Sequence, residues 1–317
     1  MSKFKVLLTD YAWGDLAIER EVLSQIDAEL VVAEQHDEET LTSLAVDVDA
    51  IITCWATVPA AVIEASPNCR IVSRLGIGLD NIDVEYCTKR AIPVTNVPDY
   101  CVQEVAEHAL ALMLALARNV AFFHHETKEG RYDLQATRPP RRLQGQTLGI
   151  IGFGHIGRGL ARLAEAIGLK VIVHSRTPPS DVEHLDLSTL LEKSDFVSLH
   201  ASLTEQTHHL IGINELALMK PTAFLINTAR GGLVDHAALA MALEQNQLAG
   251  AGLDVQTPEP PDLTQPPYND PRVIVTPHTA FVSVESVEEL RRRAATQVAT
   301  RLCGGVPENV VNLEKLE

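Results

Sequence analysis

The chain has 317 residues, of which 46% are hydrophobic, enough apolar material for one large or two ordinary globular domains. Its 42 acidic residues outnumber the 26 basic ones, and the formal net charge of −16 argues against nucleic acid and anionic membranes as partners. We therefore expect small molecules and a second copy of the chain as the partners.

The cysteines and the N-terminus predict a cytoplasmic protein. The cysteines at 54, 69, 87, 101 and 303 show neither paired metal-ligand spacing nor a disulfide framework, and the first residues lack the apolar region of a signal peptide. The adjacent histidines at 124–125 and 208–209 do not have the spacing of a chelating pair. No metal site is predicted.

Short apolar runs alternate with helical patterns through residues 1–99, as in a parallel α/β sheet. The predicted strands lie at 6–8, 30–32, 50–53, 71–75 and 93–95. The predicted helices lie around 15–26, 39–46, 59–65 and 83–89. Five strands would form a complete small domain.

The fourth of these strands runs into a glycine loop at 74–83, Arg-Leu-Gly-Ile-Gly-Leu-Asp-Asn-Ile-Asp. The loop looks like a phosphate loop but lacks a third glycine and a continuous helix after it. We interpret it as a backbone cradle for an anion smaller than a dinucleotide. The alternative is an ordinary strand-to-helix turn capped by Asp80 or Asn81.

Residues 101–118 predict a buried helix that crosses between two domains, because the uncharged run at 109–117 is too short to span a bilayer. Residues 119–143 follow and are interpreted as an irregular excursion that could clasp a second subunit. So much apolar surface predicts a homodimer built on the second domain. The alternative is a helix buried entirely within its own subunit.

The clearest motif is Gly152-Phe-Gly154-His-Ile-Gly157, which follows the apolar run 148–151 and opens a helical pattern ending at Gly168. Gly152 suits a tight turn, Gly154 leaves room for a pyrophosphate, and Gly157 lets the helix pack closely on its strand. Free N–H groups at the helix start would face the phosphates. With a further strand at 170–174, the pattern favours a dinucleotide site over a glycine-rich connector.

Further strands are predicted at 196–200, 223–228, 250–255 and 273–276, with the clearest helix at 235–245. They complete a doubly wound sheet of about six parallel strands, in which ligands bind at the carboxyl ends. Three of those ends carry polar groups: Asn227 to Arg230, Asp254 to Glu259, and Thr276 to His278. The chemistry is predicted there.

Six segments together resemble the D-isomer-specific 2-hydroxyacid dehydrogenase family. They are GIGLDNID at 76–83, residues 96–118, GFGHIGR at 152–158, NTARGGLVD at 227–235, GAGLDV at 250–255 and TPH at 276–278. PDYC at 98–101 and residues 277–294 are most similar to the branch with the C-terminal binding proteins, corepressors that kept the dehydrogenase fold. The resemblance implies α/β architecture with two doubly wound parallel-sheet domains and a cleft between them. A flavodoxin-like substrate domain would comprise 1–99 plus 287–317, and a Rossmann cofactor domain 100–286.

The resemblance also implies a catalytic trio of Arg230, Glu259 and His278. The arginine would hold the substrate's carboxylate and carbonyl with planar donors, and the histidine, paired with the glutamate, would exchange a proton with the C2 oxygen. Taken singly, a helix-cap arginine and a satisfied loop histidine would be simpler interpretations. Their placement at three strand ends of one sheet favours catalysis.

Binding residues are implied in the same way. The backbone N–H groups of Ile77 and Gly78 would meet the substrate carboxylate, and Phe281 would meet the substrate side chain. Asp254 would accept a hydrogen bond from the nicotinamide carboxamide, the alternative being a cap for the segment that follows it. The residues expected to contact the cofactor are Val105, Gly152, Gly154, His155, Ile156, Gly157, Thr228, Ala229, Arg230, Asp254 and His278.

The second cofactor strand ends in Ser175-Arg176-Thr177, where most members have an aspartate for the adenosine ribose. A missing carboxylate and a new guanidinium predict a 2′-phosphate, hence NADP rather than NAD. The alternative is that Arg176 stacks on the adenine or points into solvent.

The leading functional prediction is an NAD(P)-dependent reductase of 2-keto acids, with glyoxylate and hydroxypyruvate as candidates. One alternative is a D-3-phosphoglycerate dehydrogenase-like enzyme, in which Arg70 or Arg74 would serve the substrate phosphate. The other is a cofactor-sensing scaffold of the corepressor kind. The complete trio favours an enzyme.

Overall fold

The computed structural model describes residues 3–137 and 139–315. The chain forms two compact units, one from the N-terminal part up to Tyr100 together with the part from Ser283 onward, the other Cys101–Val282. The sequence analysis placed these boundaries after residues 99 and 286. The assignment of substrate to one unit and cofactor to the other stays a prediction.

The first unit is built on a five-stranded parallel sheet of order β2-β1-β3-β4-β5. Its strands are β1 Phe4–Leu8, β2 Ala28–Val32, β3 Ala50–Thr53, β4 Val72–Arg74 and β5 Val94–Thr95. The helices between them are α1 Ala17–Ser24, α2 Glu38–Ala45, α3 Ala60–Glu64 and α4 Val84–Lys89. The central strands β1 and β3 are almost wholly buried, which explains why they appear in the sequence as continuous apolar runs.

The second unit contains a seven-stranded parallel sheet of order β12-β11-β10-β9-β6-β7-β8. Its helices are α5 Val102–Ala117, α6 Val120–Lys128, α7 His155–Ala166, α8 Leu187–Lys193, α9 Ile213–Leu218 and α10 His236–Glu244. Its strands are β6 Thr147–Ile151, β7 Lys170–His174, β8 Glu183–His184, β9 Phe196–Leu199, β10 Phe224–Asn227, β11 Gly250–Leu253 and β12 Val273–Val275. The predicted fold class, two doubly wound parallel-sheet domains, is confirmed.

About six strands were predicted for this sheet, and the strand that the prediction lacked is the edge strand β8. It contains only two residues, Glu183 and His184, which pair with β7. A run this short shows no periodicity, because strand recognition depends on several alternating positions.

The interpretation of 119–143 as wholly irregular was also wrong. Asn119 adopts a left-handed conformation, with φ of 53°, so the chain changes direction after α5, and α6 begins at the next residue. Asparagine tolerates this conformation better than most residues. Within residues 3–137 and 139–315, no single helix is long and apolar enough to cross a membrane, although α5 and α6, bent by 62°, meet the length and composition criteria together.

The C-terminal helix α11, Val284–Leu302, completes the first unit by packing on α1. Its Arg291 donates two hydrogen bonds to the carboxylate of Glu19, at 2.8 and 2.9 Å, and both side chains are buried. Trp13 donates a further bond to Glu19 at 3.0 Å. Removing one member of such a pair leaves a buried charge, so this contact fixes the returning helix.

Candidate active site

The glycine turn after β6 has the geometry of a phosphate site. Gly152 has φ of +93°, and a Cβ there would lie 2.5 Å from the backbone nitrogen of Ala201. A Cβ on Gly157 would lie 2.4 Å from the carbonyl oxygen of Gly152, whereas no described atom lies within 4 Å of one on Gly154. The turn and the close packing thus require glycine, and the open space lies above Gly154, where α7 presents its first N–H groups.

The other predicted cofactor positions differ in burial and in hydrogen bonding. The hydroxyl oxygen of Thr228 is buried and finds no partner among residues 3–137 and 139–315. A buried polar atom of this kind usually has a partner, which a dinucleotide could supply. Val105 lies buried in the first turn of α5, while His155 at the start of α7 is exposed. These residues fit a bound dinucleotide.

Arg230 lies in the turn after β10, and the turn is held tightly. Asn227 donates from Nδ2 to the carbonyl oxygen of Arg230 at 2.8 Å, and its Oδ1 accepts from the N–H of Ala229 at 3.1 Å. A Cβ on Gly231 would lie only 2.0 Å from the carbonyl oxygen of Gln256. Glycine at 231 therefore lets the arginine turn lie directly against the loop that carries Glu259.

Glu259 and His278 form the hydrogen-bonded pair that the resemblance implies. Nδ1 of His278 lies 2.9 Å from Oε2 of Glu259, and the other oxygen of Glu259 accepts from the backbone N–H of Gln256 at 2.8 Å. The carboxylate can only accept, so Nδ1 carries the proton of this bond. His278 has φ of 51°, an uncommon left-handed conformation for a residue with a side chain.

The environment of Glu259 keeps its carboxyl group ionised. Burial by itself would raise the pKa of this carboxyl, but the bond from His278, its charge, the Gln256 N–H and the nearby Arg230 outweigh burial and lower the pKa. The carboxylate is therefore negative throughout the neutral range. It can orient the imidazole and could offset the charge of an imidazolium.

Asp254 is fully buried and holds the segment next to His278. Its Oδ1 accepts from the N–H of Thr279 and its Oδ2 from the N–H of Ala280, both at 2.9 Å. The alternative stated for this residue, a cap for the segment that follows it, was wrong, because the carboxylate binds residues of the loop after β12 instead. A contact with the nicotinamide carboxamide stays a prediction.

Two residues beside Asp254 have roles that were not predicted: Thr276 was named only as part of a polar strand end, and His108 was given no role. Thr276 donates its hydroxyl proton to Oδ1 of Asp254 at 2.6 Å, and Nε2 of His108 lies 3.0 Å from the same hydroxyl oxygen. His108 lies on α5, 168 positions before Thr276. The available signal was a histidine that, next to the exposed Glu107, begins the otherwise apolar part of the helix.

The segment after β7, predicted to bind a 2′-phosphate, forms a turn. Ser175 donates its hydroxyl to the carbonyl oxygen of Thr177 at 2.8 Å, and Nε2 of His184 lies 3.0 Å from the carbonyl oxygen of Ser175. Arg176 and Thr177 are exposed. The turn thus presents a guanidinium to solvent at the carboxyl end of its strand.

In the first unit, β4 leads into the predicted anion cradle. Gly76 has φ of +150°, and Asn96 donates to the carbonyl oxygen of Ile77 at 2.7 Å, so the loop is held from behind. Ile77 and Gly78 are partly exposed. The alternative cap was wrong, because α4 is capped by Asp83, which accepts from the N–H of Tyr86 at 2.8 Å.

Phe281 is the predicted substrate residue in the second unit. Its ring lies edge-on to the imidazole of His278, with 6.1 Å between the ring centroids. An aromatic ring at this distance limits the directions in which the imidazole can turn. The part of the chain that the structure describes holds no group of three or more potential metal ligands.

Comparisons with known proteins agree with this geometry. Residues 110–280 match the model of the D-isomer specific 2-hydroxyacid dehydrogenase NAD binding domain. The chain is 42% identical over 285 residues to a glyoxylate reductase from Korarchaeum cryptofilum, covering 84% of each chain. It is 39% identical to a hydroxypyruvate reductase from Thermotoga maritima, over 86% of this chain and 90% of that one.

A solved structure extends the similarity to both units. The NADPH-dependent glyoxylate/hydroxypyruvate reductase from Sinorhizobium meliloti, in complex with NADP and malonate, has a TM-score of 0.86 and 30% identity. The match covers 98% of this chain and 97% of that one. The chain therefore belongs to the D-isomer-specific 2-hydroxyacid dehydrogenase family and is an oxidoreductase acting on the CH–OH group of its donors.

Proposed function

We propose that the protein is an NADPH-preferring reductase of small 2-keto acids, glyoxylate and hydroxypyruvate being the first candidates. The observation that carries the proposal is the 2.9 Å pair of His278 and Glu259, held beside the turn that contains Arg230. Relatives named glyoxylate reductase and hydroxypyruvate reductase support the choice of substrates.

Arg230 binds and polarises the keto acid. Its guanidinium offers parallel N–H donors to the planar carboxylate, and it stabilises the negative charge that grows on the C2 oxygen. A bound nicotinamide dinucleotide supplies the hydride for C2. The backbone N–H groups of Ile77 and Gly78 are assigned to the substrate carboxylate, because a neutral amide cradle holds an anion through its dipoles.

His278 supplies the proton. Its Nδ1–H donates to Glu259, which leaves Nε2 as the atom that delivers a proton to the C2 oxygen during reduction and removes it during oxidation. Glu259 fixes the ring direction and offsets the charge of the imidazolium. Phe281 lies beside the imidazole and is assigned to the wall that meets the substrate side chain.

The coenzyme preference rests on Arg176. An aspartate at this strand end would repel a 2′-phosphate, whereas a guanidinium at the exposed turn attracts it. The similar reductase solved with NADP supports the choice of NADP over NAD. The other residues assigned to the dinucleotide are Val105, the glycine turn with His155 and Ile156, Thr228, Ala229 and Asp254.

A homodimer built on the second unit belongs to the same proposal. Tyr132 and Leu134, on the segment after α6, are 89% and 87% exposed. The same unit has a cavity of about 670 Å³ lined mainly by apolar side chains of α5, α6 and the sheet, such as Leu116 and Phe122. Exposed apolar side chains and an apolar groove on the same unit fit a second copy of the chain. We assign the assembly to the cytoplasm, with no nucleic-acid or membrane partner.

The test is a panel of 2-keto acids assayed with NADPH and with NADH. Glyoxylate, hydroxypyruvate, pyruvate and 3-phosphohydroxypyruvate would be compared by kcat/KM. We expect one of the first two to be preferred with NADPH. A preference for the phosphorylated acid would support the phosphoglycerate dehydrogenase alternative, and no turnover of any acid would support the scaffold.

A further inference from the structure

His108 is joined to the loop of His278 by two hydrogen bonds in series. Nε2 of His108 lies 3.0 Å from the hydroxyl oxygen of Thr276, which lies 2.6 Å from Oδ1 of Asp254. Because the single hydroxyl proton points to the carboxylate, the hydroxyl oxygen can only accept from His108. Nε2 of His108 must therefore carry a proton.

Asp254 holds the backbone on both sides of His278. Its carbonyl oxygen accepts from the N–H of His278 at 2.8 Å, while its carboxylate holds the N–H groups of Thr279 and Ala280. His278 has a left-handed backbone, a conformation that persists only where neighbouring bonds enforce it. The orientation of the imidazole thus depends on the orientation of one buried carboxylate.

His108 fixes the direction of that carboxylate. Its Nε2 also lies 3.5 Å from Oδ1 of Asp254, so the histidine faces the hydroxyl and the carboxylate together. Without it, the Thr276 hydroxyl would lose its donor and could rotate away from Asp254. We propose that His108 is a positioning residue for His278, acting through Thr276 and Asp254; this inference rests on the proposed role of His278 in proton transfer.

The first test uses the protein without substrate. Histidine-selective ¹⁵N NMR of the whole chain should show Nε2 of His108 protonated, with a proton that exchanges slowly with water. The Nε2 proton of His108 should exchange rapidly with water in Thr276→Val and should still exchange slowly in Thr276→Ser. A His108 ring protonated only on Nδ1, or equal exchange in the two variants, would overturn the inference, whatever the enzyme's activity.

The second test is kinetic and uses the preferred keto acid. His108→Leu should lower kcat about 3- to 10-fold, the effect of one lost hydrogen bond, and should raise the solvent deuterium isotope effect. His108→Gln, whose side-chain amide can still donate, should restore most of kcat, and His36→Leu, at an exposed residue of the first unit, serves as the control.

A double-mutant cycle identifies the route. If His108 acts through Thr276, the His108→Leu/Thr276→Val double variant should be no slower than Thr276→Val alone. Losses that multiply would overturn the inference.

If His108→Leu does not fold, His108→Asn replaces it, because the shorter asparagine side chain cannot reach Thr276 with its donor. Equal kcat in the Asn and Gln variants would contradict the inference. Wild-type turnover with unaffected His108 variants would remove this inference alone, whereas no wild-type turnover would remove the proposed function.

Discussion

The Nδ1 atom of His278 lies 2.9 Å from Oε2 of Glu259, although the two residues are 19 positions apart in the chain. The pair joins the ends of two strands, β11 and β12, and it determines which nitrogen of the imidazole remains for chemistry. Because Nδ1 donates to the carboxylate, Nε2 is the atom that can exchange a proton with a substrate oxygen.

Glu259→Gln tests the charge of this pair. The amide can still accept from Nδ1 but cannot stabilise an imidazolium, so kcat for keto acid reduction should fall about 10- to 100-fold, part of what proton transfer contributes. In the wild type the lowered pKa of Glu259 keeps its carboxylate ionised even at a pH equal to the ordinary pKa of glutamate. The support that it gives His278 is therefore lost only at more acid pH. The measurement is the pH profile of kcat, with the exposed Glu205→Gln as the control. An unchanged profile would show that the charge is not used.

Arg230→Lys tests the planar donors. A lysine keeps the charge but offers no fork for a carboxylate, so kcat/KM should fall about 10²- to 10³-fold, as when one donor to a developing oxyanion is removed. The comparison is with Arg20→Lys, an exposed arginine of the first unit. Near-normal kcat/KM in Arg230→Lys would remove the bidentate role.

Arg176→Ala tests the coenzyme preference. One charge-assisted hydrogen bond contributes about 1.5–3 kcal/mol, so kcat/KM with NADPH should fall about 10- to 150-fold while NADH use stays almost unchanged. Ser175→Asp should also lose NADPH activity selectively. Arg162→Ala, on the exposed face of α7, controls for the loss of a positive charge. Equal or better kcat/KM with NADH in the wild type would refute the assignment to NADP.

His200 should make the stability of the protein pH-dependent. Burial lowers the pKa of this imidazole from 6.5 to about 4 in the folded state. As the pH falls from 6.5 to 4, the unfolded chain takes up a proton that the folded chain resists, so the free energy of unfolding falls. The loss should reach about 3 kcal/mol, the pKa difference expressed as energy.

Urea unfolding at pH 7.5, 6 and 5 measures this effect. The loss of unfolding free energy toward pH 5 should be smaller in His200→Gln than in the wild type or in the exposed His36→Gln. Other groups contribute equally to all three proteins, so the difference between them isolates His200. The same slope in all three would show that His200 is protonated equally well in the folded state.

Leu134→Asp tests the homodimer. A charge on this exposed apolar side chain would have to be buried against the partner, so sedimentation equilibrium should show dissociation to monomers at micromolar concentration, where the wild type is a dimer. Val306→Asp, on an exposed residue of the first unit, should leave the mass unchanged. A wild-type monomer under the same conditions would contradict the proposal.

Much of the fold could be predicted because buried parallel strands and glycine turns have local patterns. The run before Gly152 and the helix after it identify β6 and α7, and the structure has β10, β11 and β12 end at the predicted polar residues. The edge strand β8 and the helix α6 were missed. The two residues of β8 are too few to show an alternating pattern. The left-handed Asn119 separates α6 from α5, and this break in the helical pattern was interpreted as a loop.

The hydrogen bonds and contacts that hold the site residues in place could not be predicted from local sequence patterns. The contact of His108 with Thr276 joins residues 168 positions apart, and no spacing rule connects them. The need for glycine at 231 also follows from packing, since it reflects the carbonyl oxygen of Gln256 on another loop. Such contacts depend on the positions of whole elements, which only the folded structure supplies.

The most direct test of the central claim compares the wild type with His278→Ala in the reduction of glyoxylate and hydroxypyruvate by NADPH. Dinucleotide binding is measured in both proteins by fluorescence. We expect wild-type turnover and a fall in kcat of about 10²- to 10⁴-fold in the variant, the usual contribution of a general acid, with the NADPH Kd nearly unchanged. Near-normal turnover by His278→Ala would contradict the claim.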